Sequence, residues 1–175
     1  MYKKILVPLD GSELAECALP HAEKLAKGKG PDTAEVILVS ATERVEGYRA
    51  VESSAEPFVL SGAGGNMGPI LQPQRQPFEP VAFGKKEKQA ERYLDTIAGR
   101  LEAEGIKVRT EVLAWPPAEA IASSAEQNGV DVIVMSSHGR SGPGHRPYGS
   151  VAEKVLKTSR VPVLMVRAPG CVPGK

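Results

Sequence analysis

Gly139, Gly142, Gly144, Gly149 and Ser150 form a stretch whose residue types suit the binding of a phosphate or a similar anion. The apolar run Val130–Met135 leads into these glycines. Ser150 closes them, with Glu153 three residues on and Val155 and Leu156 beyond, which is the S-x-x-E pattern of a capping box opening a helix. A helix's first turn leaves backbone N–H groups without intrahelical partners, and its aligned peptide dipoles put partial positive charge there. Glycine lets the backbone come close to such a ligand. The same residues also suit a plain loop in which Ser150 serves only as an N-cap. A second group is Asp10, which follows the apolar Ile5–Val7. At the carboxyl end of a strand it is either a carboxylate facing a ligand crevice or the side chain of an Asx-turn ordering the corner. Near a bound polyphosphate, Arg140 or Arg146 would neutralise charge and His138 would brace the loop.

The elements that must position these groups follow from periodicity. Ile5–Val7 reads as a first strand, turned by Pro8–Ser12 into a helix whose stripe is Ala15, Ala18, Leu19, Ala22, Leu25 and Ala26, with Ser12 as cap. Pro20 lies inside that stripe and predicts a kink near Leu19. Val36–Ala41 is a second, continuously apolar strand. From Thr42 to Gly84 the pattern lapses into a Pro/Gly-rich insertion, which either folds over the ligand side or reaches a partner, or is a linker-like segment. Ala90, Tyr93, Leu94, Ile97, Ala98 and Leu101 mark an amphipathic helix of structural role, stopped by Gly105. Val108, Val112 and Leu113 give the third strand. Trp115 then stands at its carboxyl end, near the ligand or packed under the insertion. Pro117 opens a helix carrying Ala118, Ile121, Ala122 and Ala125. Val151, Val155 and Leu156 would be the buried face of the last helix, and Val161–Val166 the last strand.

This order predicts an α/β fold: a doubly wound, Rossmann-like, five-stranded parallel sheet of strand order 3-2-1-4-5 with helices on both faces. Its switch point falls between strands one and four, between Asp10 and the glycine loop. The 175 residues, 41% of them hydrophobic, are expected to form one domain, residues 1–175. A formal net charge of +1 offers no broad attraction to nucleic acid or membrane. The first apolar stretch is too short for a signal segment and no run approaches a membrane span, so the expected compartment is the cytoplasm. Cys17 and Cys171 make no metal or redox spacing, and neither a Ser-His-Asp set nor a metal cluster stands out, so no catalytic or metal-ligating residues are assigned.

Gly139, nine residues, then Gly149-Ser150 resembles the G-x2-G-x9-G-[ST] signature of ATP-binding universal stress proteins, with Ser136 at the place of the pattern's first glycine. Val7-Pro8-Leu9-Asp10 is similar to the family's V-P-x-D. The resemblance implies an adenine-nucleotide site. It would comprise Pro8 and Asp10 on the adenosine side, the backbone of Ala41 beside the base, and Met135, Ser136, Gly139, Arg140, Gly142, Gly149, Ser150 and Val151. The cofactor implied is ATP, or AMP or ADP, with any Mg²⁺ held mainly by phosphates and water. It also implies a homodimer paired through Val161–Val166 and an unidentified protein partner. The function expected is an ATP-binding stress-response protein whose bound state regulates assembly or partner contacts. A nucleotide-independent dimeric module and a slow ATP hydrolase are the alternatives.

Overall fold

β1 (Lys4–Pro8) is fully apolar at its centre, as a strand covered on both faces must be. The computed structural model describes residues 2–28, 33–42, 83–114, 116–139 and 148–167. After β1 come α1 (Glu13–Glu16), α2 (Leu19–Lys27), β2 (Glu35–Thr42), α3 (Phe83–Ala103), β3 (Lys107–Ala114), α4 (Pro117–Gln127), β4 (Val132–Ser136), α5 (Ser150–Thr158) and β5 (Val163–Val166). The strands form one parallel sheet in the order β3-β2-β1-β4-β5, the predicted topology. One core layer packs α1, α2 and α3 on one face of the sheet through residues such as Leu19, Leu94 and Leu101. The other packs α4 and α5 on the opposite face through Ile121, Ala125 and Val155.

Several expected boundaries move. Pro20 sits in the first turn of α2, and the chain turns at Cys17 and Ala18, so the predicted kink is a full break into two helices. A proline lacks the donor that would continue the helix, yet fits a first turn. Thr42 still belongs to β2, and α3 already runs from Phe83, so the segment read as an insertion from 42 to 84 is bounded more tightly. Residues 43–82, and with them most of that segment, lie outside the described residues, as do Trp115 and residues 168–175. β5 starts at Val163 rather than Val161; Pro162 contributes only its carbonyl, which accepts from Ile133 N at 2.9 Å. On α5 the buried residues are Ala152 and Val155, whereas Leu156, read as core, is 40% exposed.

The ladders flanking β1 differ in length. Its pairing with β2 runs from Lys4 to Pro8, and Leu9 N continues it to Val39 O at 2.8 Å. Its pairing with β4 stops at Leu6↔Ile133. Along a strand alternate residues turn their N–H to the same neighbour. Since Leu9 faces β2, Pro8 faces β4, and Pro8 has no N–H to give. The strands part there. At the opposite end of the sheet, Asp131 ties them together by accepting from Lys3 N at 2.6 Å and Lys4 N at 2.9 Å.

Candidate functional site

The parted carboxyl ends of β1 and β4 open into a crevice of about 820 Å³ at the topological switch point. Its size is within the usual range for small-molecule sites. Pro8 and Asp10 line it from β1, and Ala41 from the end of β2. Met135, Ser136 and Gly139 come from β4 and the loop beyond; Gly149, Ser150 and Val151 come from the start of α5. Arg140 and Gly142 lie outside the described residues.

Local chemistry explains each placement. Asp10 Oδ1 accepts from Ser12 N at 3.0 Å and Ser12 Oγ at 2.6 Å, an Asx-turn that bends the chain into α1. Ser12 Oγ in turn accepts from Ala15 N at 3.2 Å as the N-cap. The turn and the crevice position coexist in Asp10. Gly139 lies against the same carboxylate. A Cβ added there would overlap Asp10 Oδ2 and come within 3.2 Å of Cγ, so a larger residue would have to push the Asp10 carboxylate from its present place.

The opening of α5 departs from the predicted capping box. Gly149, not Ser150, is the N-cap, and its carbonyl accepts from Glu153 N at 2.9 Å. Gly149 N donates to Ser137 O at 2.8 Å, which fastens the helix start to the end of β4. Ser150 is thus the first helical residue. Its exposed side chain borders the crevice instead of capping the helix. Ser136 is buried, and its Oγ accepts from His138 N at 3.5 Å. Ser137 Oγ meets the ring of its neighbour His138 at Nδ1, 3.0 Å away.

The sequence reading missed one wall. Lys86, Gln89, Ala90 and Tyr93, spaced along one face of α3, also line the crevice, so this helix is more than structural. The helical period was visible. That its first turns overhang the switch point depends on tertiary placement. Tyr93 donates to Glu16 Oε1 at 3.0 Å. Burial, then the charge of Glu16 and its hydrogen bond, then the charge of Asp10, push the phenol well above its ordinary value, so it stays a protonated donor. Among the described residues no cluster of His, Cys, Asp or Glu has metal-site geometry, and no helix is long and apolar enough to cross a membrane.

A doubly wound parallel sheet with a glycine-bordered crevice at its switch point places this chain in the α/β, Rossmann-like class. The family model described as the universal stress protein family matches residues 69–167. The chain is 35% identical over 167 residues to universal stress protein MJ0577 of Methanocaldococcus jannaschii, covering 95% of this chain and 96% of that one. This protein belongs to the universal stress protein family. The solved structure of MJ0577 superposes with a TM-score of 0.71 at 34% identity, covering 95% of this chain and 96% of its own. Two more distant structures share the fold. A universal stress protein in complex with cAMP has a TM-score of 0.60 at 19% identity, covering 94% of this chain and 97% of that one. A family protein of Arabidopsis thaliana with AMP bound has 0.56 at 11%, covering 94% and 91%.

Proposed function

We propose that the crevice binds an adenine nucleotide, ATP in the first place, and that its occupancy regulates self-assembly or contact with a protein partner in the cytoplasm. The observation that carries this reading is the meeting of Asp10, Gly139 and Gly149 around one cavity. Gly139 lies directly against the Asp10 carboxylate, and Gly149 caps a nine-residue helix facing that cavity. Backbone N–H groups and the helix dipole would hold phosphates at the α5 end. Pro8 and Ala41, at the ends of β1 and β2, would take the base. The cAMP and AMP complexes of the two distant relatives agree with such a ligand. Mg²⁺, where present, would be held mainly by the phosphates and water.

The direct test is mass spectrometry of the nucleotide released on denaturing the purified protein, followed by calorimetric titration with ATP. Gly149→Asp sharpens it. A Cβ there would stand 3.4 Å from Ser137 O, so the backbone needs little adjustment. Aspartate is moreover a favourable N-cap that complements the dipole. The variant should melt at or above the wild-type temperature while losing at least ~100-fold in ATP affinity through charge repulsion. A folded variant with unchanged ATP affinity rejects the site.

A further inference from the structure

We propose that Tyr93 is a base-side recognition residue of the crevice, its ring packing against the planar base of a bound nucleoside phosphate. The inference rests on the nucleotide reading and adds a group on a helix that carries none of the glycine-loop or V-P-x-D residues.

The crevice is chemically polarised across the sheet. On the β4 side it is bordered by Gly139, Gly149 and the open start of α5, all suited to phosphate. On the β2 side it is bordered by Ala41, Ala90 and Tyr93, suited to a flat apolar surface. Since β1 separates β2 from β4, the two sides stand about 10 Å apart at ordinary strand spacing. A base and its phosphates therefore find matching chemistry in one orientation only.

Tyr93 is placed for this role from both ends. Part of its ring packs on the core beneath α3, so the side chain cannot swing freely, and the rest faces the cavity. Its hydroxyl is anchored to Glu16, whose other oxygen lies 3.8 Å from Arg100 Nη1. A ring fixed in this way offers an aromatic face with little conformational entropy left to lose on binding.

The test uses the intact chain with isotope-labelled tyrosine rings, the Tyr93 resonances being identified by their loss in Tyr93→Phe. ATP should shift the wild-type Tyr93 ring signals through the ring current of the base, whereas base-free tripolyphosphate should leave them in place. Calorimetry should show Tyr93→Leu binding ATP about tenfold more weakly, as expected for losing one base–aromatic contact. Tyr93→Phe, which keeps the ring, should stay within about twofold. Wild-type protein that binds ATP without moving the Tyr93 signals, or that moves them equally with tripolyphosphate, overturns the inference while leaving the nucleotide reading intact. So does a folded Tyr93→Leu variant with wild-type ATP affinity. A wild type with no ATP affinity overturns both. If Tyr93→Leu fails to fold, the wild-type spectra decide.

Discussion

Ser136 is expected, from the motif the sequence resembles, to stand in place of a glycine, and its surroundings bear on what that replacement would cost. Its side chain is buried in the crevice lining, and the hydrogen bond it accepts among the described residues, from His138 N at 3.5 Å, is at the long limit of such contacts. Removing that bond should matter little, whereas removing the side chain frees space beside the proposed phosphates. Ser136→Gly is therefore expected to bind ATP about threefold more tightly, a gain of about 0.7 kcal/mol. Isothermal titration of the two proteins side by side measures it; equal or weaker binding would show that the hydroxyl serves the pocket. At Gly139 a side chain would instead displace the Asp10 carboxylate that now fills the space beside it.

At the level of the elements, the amino-proximal edge of the sheet is held by Asp131, which precedes β4 and accepts both Lys3 N and Lys4 N. These two backbone hydrogen bonds hold its carboxyl below the ordinary aspartate range. A carboxyl lowered in the folded state contributes stability above its unfolded pKa and loses it as pH falls through the folded one. The stability difference between wild type and Asp131→Asn should thus be present at neutral pH and close below the usual carboxylate range. Urea denaturation at a series of pH values follows it; a gap that persists at the lowest pH would contradict the assignment. The elements themselves were largely legible, because β1, β2 and β4 are short apolar runs and α3 and α4 carry clear helical stripes. Their ends were not. S-x-x-E at Ser150 fits a capping box, but the backbone carbonyl of Gly149 takes the Glu153 N–H and Glu153 Oε1 accepts from Lys157 at 2.6 Å. Leu156 matches the apolar pattern yet faces outward, since Ala152 and Val155 already fill the contact with the sheet. The α3 wall could not be read at all, for no local pattern tells which helix overhangs a crevice.

Across the whole molecule, the strand order that sequence predicts brings two motifs, more than 120 residues apart in the chain, to one switch point. It also leaves β5 at the sheet edge. Leu164 on that strand is 39% exposed, while Val163 and Met165 pack inward against the α4–α5 layer. An exposed apolar edge is a template for another strand, and isologous pairing would close the assembly at two. Leu164→Lys should leave the fold intact and yield a monomer, whereas Val163→Lys should damage the core as well. Light scattering with thermal melting separates the cases; a wild-type monomer, or a Leu164→Lys dimer, would rule out this interface. The early end of the β1–β4 ladder has a different consequence. Its cause is covalent, a missing hydrogen on the Pro8 nitrogen, so the opening precedes any occupant and requires no work from it. Binding should then proceed with little rearrangement of the sheet, a lock cut before its key. Pro8→Ala restores the donor and should let the two strands close by a further step. The resulting protein is expected to resist urea better than the wild type and to take up ATP more slowly and more weakly, with stopped-flow rates falling as the melting temperature rises.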